Sequence, residues 1–156
     1  MNDLRNLATQ AAEEHGIDPA LVMAICEHES NWNPYAIRYE PAFFKRYIHP
    51  AHPDVPSTME MMDAVSFGLM QIMGETAQEL GFVPKFPDWQ NKLCDPATGI
   101  EYGCRKLAKC MARFSGDVKL SLLAYNGGGD ASYSDKVLAL MGKYQMTVSD
   151  VGLIGD

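Results

Sequence analysis

The sequence lacks any apolar run of the roughly 18–20 residues that are needed to cross a bilayer. Its first residues, from Met1 to Arg5, also lack the basic start and the apolar stretch of a secretory signal. We therefore expect no membrane insertion. The protein is either kept inside the cell until it is released, or its leader has been trimmed.

Basic residues are few: 13 lysines and arginines stand against 20 acidic residues, and the net charge is −7. A nucleic-acid binder depends on Lys and Arg side chains that neutralise phosphates. The composition therefore argues against nucleic acid as a partner, and it does not favour adsorption to an anionic surface. A large ligand would instead be held in a shaped groove.

Metal-binding cysteine patterns are missing. The chain has four cysteines but no Cys-x-x-Cys pair and no His at zinc-finger spacing, so we expect neither metal nor cofactor. Cys104 and Cys110 lie about 240° apart around a helix and should not bond within it. A bond from Cys94 to either one remains geometrically open. We expect all four thiols, including that of Cys26, to be free and mostly buried.

Strand patterns and internal repeats are also absent, whereas helical spacing recurs through most of the chain. N-caps followed by proline, Asp18-Pro19 and Asp95-Pro96, mark two helix starts. We predict helices over about residues 2–15, 19–30, 69–80, 96–115, 118–125 and 133–144, with a short aromatic helix or turn at about 42–47. The expected fold class is mainly α, in a single domain over residues 1–156.

One carboxylate lies on the apolar face of the second predicted helix. Glu29 follows Ile25 by four residues and Leu21 by eight, so the three share a face. Glu27 points about 200° away and is expected in solvent. Carboxylates are seldom buried without a partner or a task, and burial disfavours the charged form, which suits a general acid near neutral pH. The alternative is that Glu29 simply ends the helix or pairs with Arg38.

Two further clusters combine glycine, amide and aromatic groups. The run Ser66-Phe67-Gly68-Leu69-Met70-Gln71-Ile72 places one amide among apolar residues, where Gln71 could bind a sugar hydroxyl or acetamido group. The run Ala124-Tyr125-Asn126-Gly127-Gly128 offers a ring for a pyranose face and an amide for paired hydrogen bonds. The plainer interpretations are a core helix with an exposed Gln, an ordinary helix C-cap, and a core position for Tyr133.

Taken in order, these motifs resemble the catalytic domain of the soluble lytic transglycosylases, in the lysozyme-like superfamily. The resemblance runs from about Ile17 to Leu140 and rests on Glu29-Ser30 with Asn33-Pro34, on the run from Ser66 to Ile72, and on the run from Ala124 to Gly128. It implies a lysozyme-like (goose-type/SLT) helical domain with a substrate groove. The implied substrate is the glycan strand of peptidoglycan.

The resemblance also implies roles for individual residues. Glu29 matches the single catalytic acid/base. The implied substrate-binding residues are Ser30, Ser66, Gly68, Leu69, Met70, Gln71, Tyr125, Asn126 and Tyr133. The implied reaction cleaves the β-1,4 bond between N-acetylmuramic acid and N-acetylglucosamine. Glu29 protonates the leaving oxygen and then takes a proton from the muramoyl C6 hydroxyl, which closes a 1,6-anhydro ring without consuming water.

The stretch from Tyr39 to Asp63 departs from the shorter family pattern and supplies candidate second carboxylates: Glu40, Asp54, Glu60 and Asp63. If one of them faced Glu29 at about 5–9.5 Å, a goose-type-like lysozyme that hydrolyses the same bond would be plausible. A third alternative is a peptidoglycan-binding module without turnover. We expect a monomer that acts on the bacterial cell wall, encoded by a phage or by a bacterium.

Overall fold

The computed structural model describes residues 2–51, 58–85 and 89–151, and the fold in them is mainly helical. The longer helices are α1 (Asn2–Glu14), α2 (Pro19–Ser30), α6 (Pro96–Arg113), α7 (Val118–Tyr125) and α8 (Tyr133–Val151), and the shorter ones are α3 (Pro41–Phe43), α4 (Thr58–Asp63) and α5 (Gly74–Glu79). The predicted fold class is confirmed. The chain divides into two compact units, one formed from residues 1–32 and 104–156 and the other from residues 33–103.

The first unit is built around α2. This helix packs against α1 and α8, and α7 packs against α8. The predicted start of α2 is confirmed, because Asp18 Oδ1 accepts a hydrogen bond from the Ala20 amide at 2.8 Å and Pro19 occupies the first turn. Ala24, Ile25 and Cys26 are fully buried, which anchors the helix in the core of this unit.

The last helix is longer than predicted. The sequence pattern indicated an end near Tyr144, but α8 continues to Val151. No glycine or proline follows Tyr144 before Gly152, so nothing in the intervening residues interrupts the helix. The start of α7 is as predicted, since Asp117 Oδ1 accepts from the Leu120 amide at 2.9 Å.

The second unit contains a small antiparallel sheet that the sequence analysis missed. Its strands are β1 (Ile37–Tyr39), β2 (Val65–Phe67) and β3 (Ile72–Met73), in the order β1-β2-β3. Each strand has only two or three residues, which is too short to show the alternation of apolar and polar residues that predicts a strand.

The predicted helix over residues 69–80 is wrong in its first half. Residues 68–71 form a turn, Ile72–Met73 is β3, and α5 covers only Gly74–Glu79. The backbone of Gly68 (φ +71°) and of Gln71 (φ +48°) is left-handed, which no α-helix accommodates. The short aromatic element is confirmed as α3 followed by a π-helical turn, Phe44–Ile48.

All four cysteines are free, as expected; Cys26 and Cys104 are buried, and Cys94 and Cys110 are half-buried. Within the described residues, no helix combines the length and the apolar character that a membrane span requires.

Candidate active site

The carboxylate singled out by the sequence is held by a tyrosine from the other end of the chain. Glu29 lies in the last turn of α2 and is half-buried. Tyr133 is the first residue of α8, is only 2% exposed, and donates its hydroxyl proton to Glu29 Oε1 at 2.7 Å. Tyr133 is therefore a core residue, as in the plainer interpretation, and it also contacts Glu29.

Two further rings complete the surroundings of Tyr133. The Tyr125 ring, from the last turn of α7, stacks on Tyr133 with centroids 6.5 Å apart, and the His28 ring meets Tyr133 edge-on at 5.0 Å. Burial raises the pKa of Tyr133 well above its ordinary value, and the negative charge of Glu29 adds to the effect. Burial likewise raises the pKa of Tyr125. Both phenols therefore stay protonated at neutral pH.

A lysine that the sequence analysis did not consider belongs to the same cluster. Lys106 lies on α6, in the part of that helix that belongs to the first unit, and its Nζ lies 4.3 Å from the centroid of the Tyr125 ring. Burial lowers the pKa of Lys106, and its attraction to the Glu29 carboxylate offsets part of that effect.

The two remaining candidates of this unit lie at helix ends. The Ser30 hydroxyl donates to the Cys26 carbonyl at 3.0 Å, within α2. Asn126 is half-buried and caps α7, its amide donating to the Leu122 carbonyl at 3.0 Å. The C-cap interpretation of Asn126 therefore holds for its backbone, and a sugar contact from either side chain remains a prediction.

Glu27 was expected to lie free in solvent, but it is half-buried and hydrogen-bonded. Lys143 Nζ donates to its two carboxylate oxygens at 2.8 and 3.0 Å, and the Tyr144 hydroxyl donates to it as well. Trp32 Nε1 in turn donates to the Tyr144 oxygen at 2.9 Å. The hydrogen bond from Lys143 is the main reason that the pKa of Glu27 is lowered. This network connects α2 with α8. The sequence pattern does not predict a contact between residues so far apart in the chain.

In the second unit, the turn at residues 68–71 is built by its glycine and its glutamine. A Cβ on Gly68 would lie 2.3 Å from the Leu93 carbonyl oxygen, so only glycine fits. Gln71 is 7% exposed, and its Nε2 donates to the carbonyls of Gly68 at 3.0 Å and Ala36 at 3.1 Å. The donor half of this amide thus holds the turn together, and a sugar contact would have to use Oε1.

The neighbours of the turn are largely core residues. Ser66, Leu69 and Met70 are 3%, 1% and 0% exposed. The Met70 side chain fills the space next to Gly103, where an added Cβ would meet Sδ at 2.2 Å. Their role in lining a substrate groove remains a prediction.

The candidate second carboxylates that are described have partners of their own. Glu40 accepts from Arg38 Nε at 2.6 Å, which also accounts for the arginine that was the alternative partner of Glu29. Asp63 Oδ1 accepts from Gln78 at 2.6 Å and Gln90 at 2.9 Å.

Two candidate second carboxylates remain. Glu60 is half-buried on α4, and Asp54 lies outside the described residues. Within the described part of the chain, no three His, Cys, Asp or Glu side chains are grouped so as to hold a metal ion. Glu29 is a group that can transfer a proton, and the Tyr133 hydroxyl donates to one of its carboxylate oxygens.

Comparison with protein families gives one extensive match. Residues 6–138 match the family described as the transglycosylase SLT domain. The matched span includes Glu29, the turn at residues 68–71 and Tyr133.

Individual relatives agree with that match. The chain is 29% identical to the membrane-bound lytic murein transglycosylase C of Edwardsiella ictaluri (94% of this chain, 38% of the relative). It is 28% identical to the transglycosylase of Enterobacteria phage PRD1 (89% of this chain, 40% of the relative). It also resembles the X-ray structure of an inactive mutant of lytic transglycosylase Slt from Pseudomonas aeruginosa, with a TM-score of 0.67, 20% identity, and coverage of 93% of this chain and 24% of that one. The chain thus spans less than half of each relative.

Proposed function

We propose that this chain, which belongs to the transglycosylase SLT domain family, cleaves the glycan strands of peptidoglycan as a lytic transglycosylase. The observation that carries the proposal is the hydrogen bond from Tyr133 to Glu29. It joins two residues, 104 positions apart, that the sequence resemblance assigned separately to one site. The proposed place of action is the bacterial cell wall, and the proposed active form is a monomer.

Glu29 would act as the acid and then as the base. Protonated Glu29 donates its proton to the leaving glycosidic oxygen while positive charge develops on the muramoyl anomeric carbon. Tyr133 occupies Oε1, so the proton would be exchanged through Oε2. The hydrogen bond also fixes the orientation of the carboxyl group, and a general acid or base is effective only when it is so positioned.

The second step would regenerate the acid. Ionised Glu29 removes the proton of the muramoyl C6 hydroxyl, the oxygen attacks the anomeric carbon, and a 1,6-anhydro ring closes. The substrate acetamido group would stabilise the intervening positive charge. No water is added, so one carboxyl group is enough for the cycle.

The other implied substrate-binding residues divide into two groups. Asn126 and Ser30 would offer polar contacts beside Glu29, and Tyr125 would contribute mainly through its stacking on Tyr133. The turn at residues 68–71 would present Gln71 Oε1 and backbone groups to an acetamido group. Backbone groups that are held rigidly suit this purpose because they lose little conformational entropy when a ligand binds.

Product analysis tests the proposal. Purified peptidoglycan would be digested with the wild type and with Glu29→Gln, and the soluble fragments analysed by mass spectrometry. We expect fragments from the wild type alone, with anhydro ends that are lighter by one water than reducing ends. Reducing ends would indicate the lysozyme alternative and make Glu40, Glu60 and Asp63 the next residues to substitute. A folded wild type that binds peptidoglycan without releasing fragments would indicate a binding module.

A further inference from the structure

The loop between Tyr125 and Tyr133 joins α7 to α8, so its conformation determines where α8 begins. It contains three consecutive glycines, residues 127–129. The backbone of Gly127 and of Gly128 is left-handed (φ +71° and +75°), and a Cβ on either would meet no atom within 4 Å. Because glycine has more conformational freedom than any other residue, a loop of this kind depends on hydrogen bonds at its ends to keep one conformation.

Asp130 supplies the hydrogen bonds at the α8 end of the loop. Its Oδ1 accepts from the Ser132 amide at 2.8 Å and from the Ser132 hydroxyl at 2.6 Å, and its Oδ2 accepts from Lys136 Nζ at 2.8 Å. The carbonyl of Asp130 also accepts from the Tyr133 amide at 3.1 Å. The hydrogen bonds from Lys136 and Ser132 hold the pKa of Asp130 well below its ordinary value. Asp130 therefore stays ionised near neutral pH and holds the residue before Tyr133 and, through Lys136, the first turn of α8.

Tyr133 needs an accurately placed backbone, because its side chain reaches Glu29 from the first residue of α8. The first amides of a helix have no acceptor within it, so the first turn frays unless acceptors outside it are provided. The rings of Tyr125 and His28 also contact Tyr133, but ring pairs form over a range of about 4.5–7 Å between centroids. A hydroxyl-to-carboxylate hydrogen bond requires oxygens about 2.5–3.0 Å apart, so it tolerates much less movement of the first turn.

We propose that Asp130 is a positioning residue for Tyr133: its carboxylate fixes the first turn of α8 and thereby holds the Tyr133 hydroxyl at Glu29. The inference rests on the proposed function, in which Tyr133 acts through Glu29. Asp117 caps α7 in a similar way, since its Oδ1 accepts from the Leu120 amide at 2.9 Å, but the first turn of α7 carries no residue of the candidate site. Asp117→Ala is therefore the matched control for Asp130→Ala.

NMR of the tyrosine rings tests the placement without any turnover. The signal of the ring carbon that bears the Tyr133 hydroxyl would be assigned by its loss in Tyr133→Phe. Glu29→Ala removes the acceptor and therefore gives the chemical shift of this carbon without the hydrogen bond. We expect Asp130→Ala to move the Tyr133 signal from the wild-type position towards the Glu29→Ala position, and Asp117→Ala to leave it unmoved.

A double-mutant cycle tests the consequence for activity on soluble glycan-strand fragments. Asp130→Ala should lower kcat by about 10-fold and keep KM within about twofold, because it misplaces a group that orients Glu29 and removes no contact with the substrate. In the Tyr133→Phe background the same substitution should lower kcat by less than about twofold, since no hydroxyl remains to be positioned. Asp117→Ala should keep kcat within about twofold of the wild-type value.

Two further variants separate the parts of the carboxylate. Asp130→Asn keeps an acceptor oxygen for Ser132 and loses the charge that pairs with Lys136, so it should recover most of the kcat lost in Asp130→Ala. If Asp130→Ala does not fold, the double variant Ser132→Ala/Lys136→Met replaces it in both tests. That variant removes the two side-chain donors to Asp130, and we expect its effects in the same direction.

An unchanged Tyr133 signal in Asp130→Ala would overturn the inference, and so would the same fractional loss of kcat with and without the Tyr133 hydroxyl. A wild type without turnover would overturn the proposed function instead. The NMR comparison would then still show whether Asp130 positions Tyr133.

Discussion

At the scale of single residues, the candidate site depends on the hydrogen bond that the Tyr133 hydroxyl donates to Glu29. Tyr133 has a raised pKa because it is buried, so its hydroxyl remains a donor to Glu29 at any pH at which the protein is used. Tyr144 makes a comparable bond to Glu27 within the same unit, at a carboxylate with no proposed chemistry. Substitution of each tyrosine by phenylalanine therefore separates an effect on activity from an effect on stability.

Tyr133→Phe should lower kcat by about 10- to 100-fold, since a hydrogen bond to a charged group contributes about 1.5–3 kcal/mol. The matched variant Tyr144→Phe should reduce thermal stability but keep kcat near the wild-type value. Initial rates of fragment release and thermal denaturation would check both. Equal losses of activity in the two folded variants would contradict the role assigned to Tyr133.

The stability of the first unit depends on pH through Glu27. Because its pKa is lowered in the folded state, Glu27 adds stability above the unfolded value of about 4.3, and this stability is lost as the pH falls through the folded value. The contribution is limited to about 1 kcal/mol because the Lys143 side chain is 58% exposed. Lys143→Met should therefore be less stable than the wild type at pH 7, with the difference closing towards pH 3.

Denaturant unfolding at a series of pH values would measure that difference. Lys119→Met serves as the control, because Lys119 pairs with Asp135 in full solvent. A difference for Lys143→Met that is constant across the whole pH range would contradict the assignment to Glu27.

At the scale of elements, glycines decide how closely α6 approaches its neighbours. A Cβ on Gly99 would lie 2.5 Å from the Leu93 carbonyl oxygen, and one on Gly103 would meet three atoms of Met70 within 2.8 Å. The stripe of small residues therefore lets the 3-10 turn Gln90–Cys94 and the turn at residues 68–71 pack against this helix. Gly142, on α8, has open space around it instead.

Gly103→Ala should lower the free energy of unfolding by about 1–3 kcal/mol, because Met70 has to move from a packed position. Gly142→Ala should raise it by about 0.5–1 kcal/mol, because alanine is the better helix former and meets no atom. Both values can be read from urea denaturation. Equal effects of the two substitutions would show that packing against Met70 does not limit α6.

At the scale of the whole molecule, the sequence predicted the helical frame well, because local chemistry specifies it. Asp18-Pro19 and Asp117 supply caps that act within a few residues. The apolar spacing of α2 predicted Glu29 on the face of Leu21 and Ile25, and Glu29 is half-buried. The order of the motifs added Tyr133. Each of these signals can be read from neighbours in the chain.

What the sequence could not predict depends on contacts between distant segments. The strands are too short to have a period, the turn at residues 68–71 needs the Leu93 carbonyl to explain Gly68, and the Glu27–Lys143 pair joins residues 116 positions apart. Lys106 was missed for the same reason, because only its contact with the Tyr125 ring of α7 connects this half-buried lysine with the candidate site.

The proposed function requires that Glu29 directs an internal attack by the muramoyl C6 hydroxyl and not hydrolysis. Digestion of peptidoglycan in water enriched in the heavy oxygen isotope tests this most directly, with mass analysis of the new glycan ends. We expect 1,6-anhydro ends that carry none of the solvent isotope, released by the wild type and not by Glu29→Gln. Incorporation of one labelled oxygen at each new end would contradict it and would show that water is the nucleophile.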